Sequence, residues 1–493
     1  MALHKRPIST GLANEEAHFA RDNWRDLATH FLIITVITLI VWAACSVLEI
    51  IVELASEWLY SPFMHPMAFT EAEGTPSKAE FLLHHAEQNW SFMLKDILHP
   101  VSSAITVLFI VMMVGAIIRG FMLRFSYWQE GVGDPISDTV HYFHEVNERY
   151  RTQPQEYDRG MYPLSTFARA FKRIVMTILT IGTGGSGGLE GPVVQIGESL
   201  ASGMAKLFKI KAVHNLQVYQ MAGIAAAITT LLNAPFTAAI FASEIILSNR
   251  MIYRMMLYAL FAAVLVYSLN TNFFDASRIF RIDHHAPIYS YSEYLQVILV
   301  AVFFSAPAGL GVAFAFRKLK QLFGFLPLLL RAPTGMLLTF GIAYGLWAWL
   351  GLSPHHVLGM GEVSIQQVLN GHGGPLLSVW WVLLLLVGAK ILTTGLTLMS
   401  GGSAGMLIPA MFMGGMTGAG VYQILVQVGL AHATVGPDLY VVAGIACGLV
   451  AIVEVPLSAI ALVLEAFGAN FGPPAIIAVV ICYKLAKRFN VYE

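Results

Sequence analysis

A carboxylate in a glycine-rich break between two apolar runs is an uncommon chemical group, and Glu190 in GGSGGLEGP, residues 184–192, is one. The glycines release the backbone from helical dihedrals, and Pro192 favours a helix start in the segment that follows, so a helix N-terminus is expected to point back into the loop. Unpaired backbone N–H groups at membrane depth are tolerated only where they line a cavity or meet a ligand, and a helix N-terminus attracts an anion. GGSAGMLIP, residues 401–409, repeats the construction, with Pro409 closing it. Two such N-termini converging would hold a dehydrated anion, with Glu190 as its rival, because an ionised carboxylate in low dielectric finds its nearest compensation in the same N–H groups. Protonation would neutralise Glu190 and release it. Two plainer readings compete: glycines that let helices pack closely, and a simple capping carboxylate.

The elements that must position these loops form a repeat. Downstream of the two loops come AGIAAAITTLLNAPFTAAIFASE (222–244) and AGIACGLVAIVEVPLSAIALVLE (443–465), in which Gly223 matches Gly444, Pro235 matches Pro456 and Glu244 matches Glu465 at one constant spacing. Repeated halves with Gly/Pro-interrupted apolar segments mark transporter folds made of broken helices. Glu244 and Glu465, matched in the repeat, are read as a packing pair.

Composition supports this. The 493 residues are 56% hydrophobic and 12% charged, with a mean hydropathy of +0.66, and runs such as 30–52 and 101–118 fit helices crossing a core of roughly 30 Å. The runs are continuous and not alternating, so the fold expected is all-α and integral to the membrane, with no β-barrel. Basic residues Arg21, Arg25, Arg119, Arg124, Lys484, Lys487 and Arg488 place the N-terminus, the end of the second helix and the chain end in the cytoplasm. The organisation expected is a cytoplasmic segment 1–28, a first membrane repeat 29–248 with an external loop 53–97 and a cytoplasmic stretch 138–160, a second repeat 249–486, and a tail 487–493 without a further soluble domain. A net charge of -1 gives no nucleic-acid footprint. Cys45, Cys447 and Cys482 lie in apolar segments as packing residues, and the pairs His84/His85, His284/His285 and His355/His356 are expected to point apart and bind no metal.

Three loops read in order, GVGDP (131–135), GLEGP (188–192) and GMLIP (405–409), resemble the signatures GSGIP, G(K/R)EGP and GxFxP of the CLC chloride channels and proton-coupled chloride transporters. The resemblance covers nearly the whole membrane chain, and GLEGP with VVQIGESL is its most specific part. It implies an inverted repeat of broken and tilted helices, a homodimer with one anion pathway per subunit, a multi-pass protein of the cell (inner or plasma) membrane, and no cofactor, with chloride or a similar small anion as substrate and H+ as the coupled ion. It further implies that Glu190 is the gating and proton-carrying residue, that Val132, Gly133, Gly405, Met406, Leu407 and Ile408 surround the anion, and that Gly188, Gly191, Pro192 and Pro409 shape the loops. The family's anion-coordinating tyrosine falls on Tyr492, with Tyr483 as its rival.

This sequence departs from the family at four places. Val132 replaces a serine whose hydroxyl favours chloride. Asp134 sets a carboxylate in the first loop, where it would repel an anion unless it caps the next helix. Leu189 and Leu407 replace a cation and an aromatic ring, and Ile245 stands where antiporters often carry an internal proton-transfer glutamate. The function expected is anion/proton exchange, with a passive anion channel as the alternative. An intramembrane enzyme using Glu190 or Ser186 is a further alternative, for which no histidine lies near either loop in sequence; the chain is expected not to be an enzyme.

Overall fold

The computed structural model describes residues 24–63, 101–152, 166–210, 213–247, 251–274, 279–282, 291–431 and 436–486. Nearly all of the described residues are helical, and pairing between extended segments is limited to three isolated bridges. Six described helices are long and apolar enough to cross a membrane. Hydrocarbon offers no partner to a backbone N–H or C=O, so continuous apolar runs close their hydrogen bonds within a helix.

The first half contains α1 (Trp24–Tyr60), α2 (Val101–Met122), α3 (Pro135–Thr152), α4 (Thr166–Ile178), α5 (Glu190–Leu207), α6 (Val213–Leu232), α7 (Pro235–Leu247) and α8 (Tyr253–Phe274). The second contains α9 (Tyr291–Gly324), α10 (Leu328–Leu350), α11 (Glu362–Leu369), α12 (Trp380–Met399), α13 (Leu407–Gln427), α14 (Asp438–Gly448, continued by a π turn to Val453), α15 (Pro456–Leu462, continued to Phe467) and α16 (Gly472–Ala486). One boundary differs from the expected ones. The first helix runs to Tyr60 because no glycine or proline interrupts 53–60, so Glu53 and Glu57 belong to it and not to a loop beginning at 53. The stretch expected as a cytoplasmic excursion from 138 is helical through Thr152.

Corresponding glycines make the same contact in both halves. A Cβ on Gly223 would lie 2.5 Å from the carbonyl oxygen of Gly197, which fixes the close crossing of α5 and α6; Gly414 and Gly444 oppose each other in the same way between α13 and α14. Small residues at such crossings let helices gain dispersion contacts where lipid removes the hydrophobic drive. Around them, α4 is polar inside and apolar outside: Phe167 and Phe171 are exposed, while Arg169, Lys172 and Arg173 are buried.

The matched glutamates link the halves. Glu244 accepts from the backbone N–H of Leu457 (3.0 Å) and Ser458 (2.8 Å) and from the Ser458 hydroxyl (2.6 Å). Glu465 accepts from Phe236 N–H (3.0 Å), Thr237 N–H (2.8 Å) and the Thr237 hydroxyl (2.7 Å). Each acid therefore caps the helix of the opposite half, whose first residue is Pro235 or Pro456, and satisfies donors that a helix start leaves open. The turn before each proline is also matched, with Asn233 (φ 49°) and Glu454 (φ 62°) both left-handed. Glu465→Ala removes three charge-assisted hydrogen bonds and is expected to destabilise the protein by about 3 kcal/mol, read as a lowered thermal midpoint in detergent. A midpoint equal to wild type would show the cap to be dispensable.

Candidate functional site

Both glycine loops reach the same place. Gly188 N–H donates to the Gly405 carbonyl (2.9 Å) and Gly405 N–H to the Gly188 carbonyl (2.7 Å), so the loops pair antiparallel at the starts of α5 and α13. Gly184 (φ 97°) and Gly401 (φ 94°) make the same left-handed turn at corresponding points. The helices begin at Glu190 and Leu407, two residues ahead of Pro192 and Pro409, which fit in the first turn because a proline removes only an N–H that has no intrahelical partner there.

Glu190 is 1% exposed. The N–H groups of Glu190 itself and of Ile408, in the first turn of α13, lie near its carboxylate, while Oε2 is buried without a hydrogen-bond partner. That oxygen lies against Gly188, where a Cβ would strike it. A helix start thus holds a buried carboxyl oxygen in a space that a side chain at 188 would fill. Met406, Leu407 and Ile408 are buried beside it, as are Gly188, Gly191, Pro192, Gly405 and Pro409.

The loop 131–135 joins the same group. Gly133 N–H donates to the Gly402 carbonyl (3.0 Å), and Arg173 reaches from α4 to the Gly133 carbonyl (3.4 Å), the Ser403 hydroxyl (3.2 Å) and Asp138 (3.1 Å). Val132 and Gly133 are half-buried there. Asp134 is turned to its own helix, accepting from Ile136 N–H (3.1 Å) and the Ser137 hydroxyl (2.5 Å), so it caps α3. Tyr492 lies outside the described residues; Tyr483 sits half-buried on α16, packed against the core.

A framework of hydroxyls beneath the loops was missed in the sequence. Ser403 shares a hydrogen bond with the Thr177 hydroxyl (2.8 Å) and donates its N–H to the Thr180 hydroxyl (3.0 Å). Ser186 does the same with Thr394 (3.0 Å) and Thr397 (3.1 Å). Arg173 and Lys390 complete the symmetry, Lys390 donating to the Gly359 carbonyl (2.9 Å). The signal was present: these residues recur at the same spacing as the two loops, once the repeat is extended backward along the chain. Loop 131–134 likewise has a partner in GMGE, 359–362, with Gly133 (φ 90°) matched by Gly361 (φ 99°). Ser186, one of the two groups named in the enzyme reading, meets the hydroxyls of Thr393 and Thr394, neither of which is a base. His355 and His356 are buried with ring centroids 4.1 Å apart and do not point apart as expected, because each Nδ1 is anchored to a serine, Ser353 and Ser364, at 2.8 Å. No metal-ligating cluster is found among the described residues.

Residues 110–487 match the family described as voltage gated chloride channel. The chain belongs to this CLC family. Among its relatives, an uncharacterized protein of Methanocaldococcus jannaschii, MJ0305, is 29% identical, over 66% of this chain and 77% of the other. The chloride/fluoride channel protein of Pseudomonas syringae pv. tomato is 27% identical, over 65% of this chain and 67% of that one. The crystal structure of a slow cyanobacterial Cl-/H+ antiporter superposes with a TM-score of 0.68 at 17% identity, covering 94% of this chain and 95% of that one, which shows a shared CLC fold.

Proposed function

We propose that this chain carries small inorganic anions, chloride among them, past the paired starts of α5 and α13, and that Glu190 gates the path by competing for the same N–H groups. The observation that carries this reading is the buried, partnerless Oε2 of Glu190 at the Gly188–Gly405 pairing, beside the first turn of α13. When ionised, the carboxylate holds the place of an anion. When protonated, it loses the charge that holds it, leaves the helix starts to the anion, and brings a proton into the cycle, which makes the transport an exchange. Val132, Gly133, Gly405, Met406, Leu407 and Ile408 are the surroundings proposed for the anion, with Tyr492 as a ligand from the chain end.

Passive anion flow is the second reading, and one observation favours it. Ile245 cannot relay a proton, and Glu244 before it is committed to capping α15. Purified protein in liposomes, with anion efflux and external pH recorded together, separates the two: protons driven uphill by a chloride gradient support exchange, and anion flow without them supports the channel. From the family we also propose a homodimer in the cell membrane, with no cofactor.

Anion preference turns on Val132. An isopropyl group in place of a hydroxyl removes one donor from the pathway, so chloride is expected to be weakly favoured over nitrate. Val132→Ser should raise the chloride-to-nitrate permeability ratio about fivefold, the effect of ~1 kcal/mol from one regained hydrogen bond. An unchanged ratio would remove Val132 from the anion's surroundings.

A further inference from the structure

A proton relay through a second carboxylate would call for an acid not already committed, and the positions considered so far are otherwise occupied: Ile245 is apolar, Glu244 caps α15, and Asp134 caps α3. Glu362 stands in the corresponding loop of the second half, where Gly361 matches Gly133, but its side chain is used differently. It begins α11 and is half-buried, and no hydrogen bond to its carboxylate is found among the described residues.

Its loop is fastened to the loop of Glu190. Gly187 N–H donates to the Gly359 carbonyl (3.2 Å), and Ser186 and Gly359 form an isolated bridge. Gly361 packs against Phe412, one turn along α13 from Ile408, and against Lys390, whose Nζ would be 3.3 Å from a Cβ at 361. Charged and titratable groups face Glu362 from three sides: Glu190 from α5, Glu49 from α1 and Lys390 from α12. His355 and His356 stand beside Lys390, and the Tyr60 ring packs on Gly359. Neighbouring carboxylates share protons, because a proton on one makes room for charge on the next, and Lys390 adds a positive charge on the side of Glu362. Of the pair, Glu190 is 1% exposed and Glu362 is half-buried.

We propose that Glu362 is the second proton-carrying carboxylate of this protein, exchanging its proton with Glu190. In the step, the O–H bond of protonated Glu362 breaks and one forms at the ionised Glu190, directly or through one water. The negative charge passes to Glu362, which takes its next proton from solvent. Lys390 steadies the charge left behind, and its hydrogen bond to Gly359 keeps the loop in place. The proposal rests on the exchange reading above.

The test uses full-length protein in chloride-loaded liposomes, with chloride efflux and external pH read together. Wild type that moves chloride with no protons overturns the exchange reading and this proposal with it. With coupled wild type, Glu362→Gln is expected to lower the proton-to-chloride ratio at least tenfold (~1.4 kcal/mol or more) while chloride efflux continues, and Glu362→Asp should restore the ratio. Glu362→Gln with a wild-type ratio overturns the role of Glu362 and leaves exchange standing. If Glu362→Gln is silent for both ions, coupled flux from Glu362→Asp supports the proposal, and a silent Asp variant overturns it.

Discussion

Glu190→Gln is expected to stop proton movement and leave anion flow open. The amide has nearly the shape of the carboxylic acid but cannot carry a proton through the cycle, so it stands in for the protonated gate at every pH. It also gives up the attraction between a full negative charge and a helix start, about 0.3–2 kcal/mol, so an anion faces a weaker rival. The proton-to-anion ratio should therefore fall at least tenfold, to the leak of empty liposomes, a loss of ~1.4 kcal/mol or more of coupling. The pH dependence has a definite sign. On the proposed reading acid neutralises the competitor, so wild-type anion flux is expected to rise as pH falls; in Glu190→Gln that rise should vanish. A variant that still drives protons uphill, or that keeps the acid-activated rise, would show that Glu190 is not the gate.

Gly405→Ala should close the path by moving the loops apart. A Cβ at 405 would lie 2.5 Å from the Gly191 nitrogen, 3.0 Å from its Cα and 3.4 Å from the Gly188 carbonyl oxygen. These are backbone atoms at the start of α5, which cannot swing aside as a side-chain tip can. The methyl group must force out one strand of the Gly188–Gly405 pair, losing its two hydrogen bonds. Overpacking of this kind costs about 1–3 kcal/mol and each bond about 1 kcal/mol. Anion flux is expected to fall roughly a hundredfold, equivalent to ~3 kcal/mol, in protein that still runs as a single species on gel filtration. Flux near wild type would show that the two loops need not be paired for transport.

The acidic residues show what was legible in the sequence. Glu190, Glu244 and Glu465 were singled out by their places in the two matched motifs, and the last two were read as a packing pair, which their reciprocal caps explain. A capping role for Asp134 was suggested by Pro135 beside it, since the helix it caps is its own. Glu362 gave no such signal. Its loop, GMGE, shares too few letters with GVGD to be matched by eye, and the kinship appears only as two glycines with the same left-handed φ. The hydroxyl framework was hidden for a related reason: Thr177 serves Ser403, and Thr394 serves Ser186, each threonine in one half supporting the loop of the other.

By itself the sequence determined the class of molecule, the duplication, the places where helices break, and the membership of the three loops in one family of motifs. These depend on hydropathy, proline and glycine, whose effects act within a few residues along the chain. Tertiary structure alone decided which carboxylate is committed and which is left without a partner. Five acids of the same chemistry take different roles, because a carboxylate is satisfied by whatever helix start stands beside it: for Glu244 and Glu465 that helix belongs to the opposite half of the repeat, and Glu190 keeps one oxygen without a partner.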